Sequence, residues 1–438
     1  MRSVKIFQLC MAIPIAMQSL NAANDVEIRS LTDREISSLL NLYTDLHSNP
    51  ELSLRELNTA ARISKELEIA GFSVTRNVGG YGFVGVLKNG EGPVVMVRTD
   101  LDGLPVVEET GLKYASRIRA KDVQGRDVGV MHACGHDIHM VCFVGTARLL
   151  SQLKNRWRGT LLMVGQPAEE LSVGSKAMLK DGLFRRFPVP DYMLALHADA
   201  GLEAGKVRLR PGDALAGTDS LDVTIRGVSG HGAYSYTTKD PVVLAAQTVL
   251  ALQTIVSREI PAVEPAVVTV GSIHGGAKHN IIPDEVRLEM TVRYYSDAVR
   301  ERILASIDRI AKGVAATGGV PKELEPIVKL REHESIPPVY NTPELTGRVT
   351  AAIEAILGKE NMLLADKVMG GEDFGVFGRT PEKRPLCLFW LGTVDPQKVR
   401  GGADLPSLHS SRFAPLPEPT IKTGVKAMTA AVMGLLTN

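Results

Sequence analysis

The chain has 438 residues, a length that fits about two domains of ordinary size. Hydrophobic residues make up 44% and charged residues 23%, which excludes disorder over most of the chain. Fifty Lys+Arg against 49 Asp+Glu leave a formal net charge of +1, which argues against nucleic-acid binding through general basic charge, and four cysteines in this length exclude a disulfide scaffold.

Arg2 and Lys5 precede a mostly apolar run, Ile6 to Leu20, followed by the small residues Ala22 and Ala23. This is the pattern of a signal peptide over residues 1–23, too short and too proline-interrupted for a membrane span. The expectation is an exported protein, periplasmic or secreted. No later run approaches the ~20 uninterrupted apolar residues that a membrane span needs. Cys134, Cys142 and Cys387 follow the leader. Three is an odd number, so at least one thiol has a role other than a disulfide.

Apolar spacing predicts helices over 33–48 and 54–70, the second closed by Gly71. Short β-type runs follow at 72–78, 82–87 and 93–99. Val94-Val95-Met96-Val97 is continuously apolar, as in a strand buried on both faces. A helix is expected over 140–153, then buried strands at 161–164 and 192–196. Strands alternating with helices indicate an α/β fold with a largely parallel sheet. The stretch from about Gly212 to Lys329 reads differently. Its order is strand (220–226), helix (241–260), two strands (266–273 and 285–294), helix (296–317), strand (324–330). That β-α-β-β-α-β order is ferredoxin-like. The expected layout is a catalytic domain over 24–212 and 332–438, interrupted by a lid domain over 213–331. Helices at 342–357 and 419–436 flank a last strand at 386–391.

The densest chemistry is His132-Ala-Cys134-Gly-His136-Asp137-Ile-His139. Thiolate and imidazole suit Zn, Co and Ni, and added carboxylates admit Mn. Gly135 lets the chain bend so that Cys134 and His136 can face one point. Glu169 and Glu170 follow the strand at 161–164, where open α/β sheets place their sites. One of the pair can ligate a metal while the other reaches a bound water. His197 closes another apolar strand, and His409 lies in a late loop. A lone His is usually structural, but this many candidates at strand ends and loops point to one site. Asp100 and Asp102 follow the strand at 93–99 and can ligate or orient ligands. In the lid, glycines surround His231 and precede His279-Asn280, permitting close approach to a ligand.

Together these residues resemble the aminoacylase and glutamate-carboxypeptidase family of dinuclear metallopeptidases, in its amidohydrolase subgroup, which includes N-acyl-amino-acid, hippurate and auxin-conjugate hydrolases. The motifs are His132–Asp137, Gln166–Glu170, Ser229–Ala233, Asn280–Pro283, Gly370–Phe374 and Leu408–Ser410, spread from Pro50 to Pro415. The resemblance implies a mixed, mostly parallel-sheet catalytic domain with an inserted ferredoxin-like lid and dimerisation domain. It implies two divalent metal ions per subunit, Mn, Zn, Co or Ni, held by Cys134, His136, Glu170, His197 and His409. Glu169 would be the general base and Asp102 a ligand-orienting aspartate. Asp100 stands where other branches place a metal-binding His. His231 would act on the scissile carbonyl across a homodimer formed through the lid, and Asn280 would contact substrate. Three departures bear on substrate preference: Ser235-Tyr236 in place of a Pro-His pair, Ala198-Asp199-Ala200 without the Pro that often follows His197, and Gly371 where Ser is frequent.

The implied reaction is hydrolysis of the amide bond of an N-acyl amino acid by a metal-activated water, with Glu169 accepting its proton. A metallo-carboxypeptidase or dipeptidase acting on small peptides shares every site residue and is the alternative. A non-catalytic metal- or ligand-binding protein is a third reading, and the intact Glu169, which is not needed to hold metal, speaks against it. No Gly-Lys-Ser/Thr phosphate loop and no strand-linked G-x-G-x-x-G occurs, which argues against a nucleotide-dependent enzyme.

Overall fold

A computed structural model describes residues 9–436, with side chains from Asn24 onward. The expected leader therefore lies outside the described residues at 1–8, and outside the described side chains up to residue 23. In chain order the principal elements are α1 (Leu9–Ser48), α2 (Leu57–Ile69), β1 (Ser73–Arg76), β2 (Phe83–Asn89), β3 (Val94–Asp100), α3 (His136–Gln152), β4 (Gly159–Gln166), β5 (Tyr192–Glu203) and β6 (Val207–Leu209). Then come β7 (Gly217–Arg226), α4 (Pro241–Thr254), β8 (Val267–Gly275), β9 (Glu285–Tyr294), α5 (Asp297–Thr317) and β10 (Ile327–Leu330). Last are α6 (Pro343–Leu357), β11 (Met362–Leu364), β12 (Leu386–Val394) and α7 (Pro417–Leu436). The chain forms two compact units. One comprises Met1–Gly212, Tyr340–Asp366 and Phe377–Asn438; the other comprises Asp213–Val339 and Lys367–Val376.

In the first unit, the described strands form a sheet in the order β1-β2-β4-β3-β5-β12-β6-β11. Its centre is parallel: β3 pairs in parallel with β4 and β5, and β5 with β12. β1 and β2 form an antiparallel edge, and β6 runs antiparallel to β12. All eight residues of β4 are buried. Such a strand has no solvent face, which is why it reads as a run rather than an alternation. The register sets Asp100 opposite Gln166 at the carboxyl ends of β3 and β4.

Two of the boundaries that differ from expectation move site residues into regular structure. Helix α3 begins at His136, not Met140. Its first turn is made possible by Gly135, whose φ of +82° is a left-handed conformation that favours glycine. A Cβ there would sit 2.8 Å from the Ala198 Cβ. Strand β5 does not stop at His197. Its pairing with β12 continues past that residue to Glu203, so His197 lies within the ladder rather than at its end.

The second unit has the order β7-α4-β8-β9-α5-β10, with an antiparallel sheet β8-β9-β7-β10. β9 alternates as an amphipathic strand should: Val286, Leu288, Met290 and Val292 are buried, with Arg287 and Glu289 on the other face. Helix α5 is capped by Ser296, which accepts from Val299 N, and it buries Val299, Ile303, Ile307 and Ile310. Asp240 caps α4 in the same way, accepting from Val242 N. By length and composition alone, Pro241–Glu259 is apolar enough to cross a membrane, with mean hydropathy 1.3. In the fold its Leu244, Ala245, Thr248 and Leu252 are buried, while Val242, Val243 and Leu250 are exposed.

A buried polar tie joins α1 to the start of α3. His47 Nδ1 lies 2.6 Å from Asp137 Oδ2, and its Nε2 lies 3.1 Å from Glu108 Oε1. Burial opposes the charge on His47, but hydrogen bonds to Asp137 and Glu108 outweigh it and raise the imidazole to about 10. The folded protein thus binds this proton more tightly than the unfolded chain, where His titrates near ~6.5. The stabilisation is complete below that value and is lost as pH rises through about 10. Thermal unfolding followed from pH 6 to 10 should show a progressive fall in Tm, and His47→Gln should lower Tm most at pH 6 and flatten the fall. A Tm profile that His47→Gln leaves unchanged would contradict the tie.

Candidate metal centre

The first unit gathers its acids and imidazoles at the carboxyl ends of β3 and β4, on β5 and at the first turn of α3. His136 is fully buried, and its Nδ1 lies 2.8 Å from the backbone oxygen of Asp102. That carbonyl can only accept, so Nδ1 keeps its hydrogen and Nε2 is the nitrogen that gives up its proton when the ring becomes neutral. His197 is set in the same way, with Nδ1 2.8 Å from the Ala198 oxygen and Nε2 3.5 Å from Cys134 Sγ. His409 Nε2 lies 3.3 Å from the same sulfur and 3.7 Å from Glu170 Oε2. Cys134, Cys142 and Cys387 are buried and outside any disulfide.

Ligand-type atoms form two triads that share Cys134: one with His136 and His197, the other with Glu170 and His409. Within each triad the atoms lie within 4.8 Å of one another. His136, Glu169 and Glu170 make a third such group, with His136 Nε2 at 3.8 Å from an oxygen of each carboxylate. His136 Nε2 and Glu170 Oε1 are buried with no hydrogen-bond partner. Orphaned buried polar atoms carry a desolvation cost of about 1–3 kcal/mol each, which a cation between them would relieve. The donor set of thiol, imidazole and carboxylate fits borderline divalent ions.

Protonation points the same way. Burial works against a charged His136, yet Asp100, Asp102 and Glu170 outweigh it and raise the imidazole to about 10. Burial raises Glu170 to about 7, against His136 and with help from Asp102 and Asp100. The pocket holds more negative charge than it can keep in a dry interior without a positive partner.

Not every nearby imidazole is available. His139 Nε2 accepts from Ala198 N at 2.8 Å, and Nδ1 lies 2.8 Å from Asp100 Oδ1. Both nitrogens are used, and burial lowers its pKa to about 4, so His139 is a neutral brace rather than a ligand. Asp100 is held by His139 and by Arg98 Nη1 at 2.8 Å, which gives it an orienting place. Asp102 receives Ser53 Oγ at 2.6 Å and Glu170 N at 3.0 Å on Oδ2.

Sequence reasoning missed several supporting groups: Ser53, Glu56, Arg98 and His47. Ser53 and Glu56 lie in the Pro50–Glu56 loop, whose polar residues sit just before a helix and look like ordinary capping. The structure brings the sequence candidates of the first unit together, namely Cys134, His136, Glu169, Glu170, His197, His409 and Asp102. His231 and Asn280 lie in the second unit and neighbour each other. Gly230-His231 pairs with Ile281-Ile282, and Gly232 N donates to the Asn280 backbone oxygen at 2.9 Å. His231 is exposed, while the Asn280 Oδ1 is buried and without a partner. The second unit also holds Arg293 on β9, half-buried and with no ion pair among the described residues. A side chain at Gly371 would meet Arg293 Nη1 and Thr218 Oγ1, each at 3.3 Å, and the Thr218 hydroxyl has no partner. Glycine at 371 therefore leaves room beside an unpaired cation and an unpaired hydroxyl. Arg293 keeps the polar phase of its strand with Arg287 and Glu289, so nothing in the sequence sets it apart.

A family model described as peptidase family M20/M25/M40 matches residues 96–434. Among curated proteins, an N-acetylcysteine deacetylase of Bacillus subtilis is 32% identical over 361 residues, covering 81% of this chain and 88% of the relative. Thermostable carboxypeptidase 1 of Saccharolobus solfataricus is 32% identical over 399 residues, covering 90% and 94%. A crystal structure from Bacillus subtilis, described as a dinuclear metal binding peptidase of family M20, superposes with a TM-score of 0.76 at 27% identity, covering 92% of this chain and 99% of that one.

The geometry makes a direct prediction. Adding Zn, Mn or Co to metal-stripped protein should raise Tm, since an ion that binds only the folded state at 100 times its Kd stabilises by ~2.7 kcal/mol. The rise should be larger at pH 8 than at pH 6, because binding must displace protons held by Glu170 and His136. Cys134→Ala should reduce the rise. A Tm that does not respond to any of these ions at either pH would contradict the assignment of this pocket.

Proposed function

Because the chain belongs to peptidase family M20/M25/M40, we propose that it is a metal-dependent amidohydrolase that cleaves the amide bond of N-acyl amino acids. The observation that carries this reading is the buried, orphaned pair His136 Nε2 and Glu170 Oε1, placed among Cys134, His197 and His409 with Glu169 beside them. These five ligand-type residues would hold two divalent ions. When bound, the ions supply an acidified water and polarise the scissile carbonyl.

Glu169 is the general base. It is 7% exposed and adjacent to Glu170, so its carboxylate can take a proton from the attacking water and return it to the leaving nitrogen. Asp102 orients His136, through its backbone oxygen, and the Glu170 loop, through its carboxylate. His231 is proposed to polarise the carbonyl, and Asn280, with its unpartnered Oδ1, to contact substrate. The deacetylase relative supports an acyl group on the amino acid. The carboxypeptidase relative supports the second reading, in which the acyl portion is another amino acid.

We further propose a homodimer formed through the second unit. Val242, Val243 and Leu250 on α4 are 47%, 53% and 73% exposed, an apolar stripe that a second copy would cover. β8 is an edge of its sheet, with main-chain groups ready to pair. Export to the periplasm or beyond remains the proposal for localisation, carried by the Arg2–Ala23 pattern.

Glu169→Gln should lower kcat by ~10²-fold or more while the metal-dependent rise in Tm is kept; wild-type turnover in this variant would overturn the base assignment. A side-by-side assay of N-acetyl, N-benzoyl and long-chain acyl amino acids against dipeptides should show higher kcat/KM for the acyl amino acids, and the reverse ranking would select the peptidase reading. If His231 acts across a dimer, mixing inactive His231→Ala and Glu169→Gln proteins under subunit exchange should restore part of the activity. No recovery in demonstrated mixed dimers would rule out action across the interface.

A further inference from the structure

The loop between α1 and α2 touches both site loops of the first unit at once. Gly103 N donates to the Glu51 oxygen at 2.7 Å, and Ser53 Oγ donates to Asp102 Oδ2 at 2.6 Å. Three residues on, Glu56 is completely buried at the start of α2. Its Oε1 accepts two backbone N–H groups, from Ala168 at 2.8 Å and from Leu54 at 2.9 Å.

Both donors are strained. Leu54 has φ +66° and Ala168 has φ +49°, the left-handed region that costs a residue with a Cβ on the order of 1–2 kcal/mol. One carboxylate oxygen therefore pins two left-handed residues, one in each loop. Ala168 immediately precedes Glu169. Its carbonyl oxygen in turn accepts from Val173 N and Gly174 N, both at 3.3 Å, so the bond from Glu56 fixes the turn that carries Glu169 and Glu170. The second oxygen, Oε2, is buried with no partner. A buried carboxylate with half its capacity unused is a costly group to keep for packing alone.

We propose that Glu56 is a positioning residue for Glu169, acting through the Ala168 amide. The proposal rests on Glu169 being the base. What positions the turn is the acceptor at Oε1, not the charge of the carboxylate. A glutamine keeps an acceptor of the same reach. An aspartate keeps the charge but withdraws the acceptor by one methylene. The two substitutions therefore separate geometry from charge.

The test compares Glu56→Gln, Glu56→Asp and the wild type as full-length, metal-loaded protein. It measures steady-state kinetics on N-acyl amino acids, metal content, Tm, and amide hydrogen exchange in peptides covering 166–174. Glu56→Gln should stay within about threefold of wild-type kcat, with unchanged exchange. Glu56→Asp should lose ~10- to 100-fold in kcat, the scale of a misplaced catalytic group, with KM and metal content within about twofold and faster exchange in 166–174. The proposal is overturned if Glu56→Asp keeps wild-type kcat, or if Glu56→Gln loses as much as Glu56→Asp. It is overturned too if exchange in 166–174 does not respond to Glu56→Asp. The exchange measurement needs no turnover. A wild type inactive on every amide would therefore sink the function while the exchange result still decided whether Glu56 holds the turn.

Discussion

Asp100, Asp102, Glu169 and Glu170 crowd around one buried imidazole, that of His136. In a dry interior such a concentration of acids cannot stay ionised without a positive partner. These acids hold His136 protonated up to about 10, and burial beside them raises Glu170 to about 7. Two divalent ions would answer the same need, each bringing two positive charges, with His136 Nε2 and Glu170 Oε1 placed to hold them once their protons are released.

The rest of the first unit can be understood as what holds that arrangement open. Ring orientation is set from behind: backbone oxygens of Asp102 and Ala198 take the Nδ1 hydrogens of His136 and His197, so both Nε2 atoms face the centre. Arg98 and His139 occupy Asp100. Helix α3 brings His136 to the sheet only because Gly135 can turn left-handed against Ala198. Behind α3, His47 ties the helix start to α1 with a proton of its own. The same strategy recurs at each step. A main-chain or ionic brace behind the ligand removes rotamer freedom before any ligand binds, which lowers the ordering cost of binding.

Much of this was legible in residue order. The continuous apolar runs of β3, β4 and β5 gave away strands buried on both faces. Cys134, His136, Glu169, Glu170, His197 and His409 were visible because metal-ligand residue types cluster at strand ends and loops. What was not legible depends on pairing across distance. The extension of β5 past His197 comes from its ladder with β12, which local sequence does not encode. The early start of α3 depends on space beside Ala198. His139 stands in the same dense cluster as Cys134 and His136, and only the fold shows that both its nitrogens are taken. Ser53 and Glu56 look like capping residues of a helix start, and nothing near them in sequence says that their partners are Asp102 and Ala168.

The central claim is that the Cys134 pocket binds two divalent ions, with the thiolate among their ligands. X-ray absorption on zinc-loaded protein, with the metal-to-chain ratio measured on the same sample, tests it most directly. About two zinc ions per chain are expected, with a sulfur neighbour at ~2.3 Å that disappears in Cys134→Ala. A shell of nitrogen and oxygen alone in the wild type, or a single ion per chain at saturation, would contradict it.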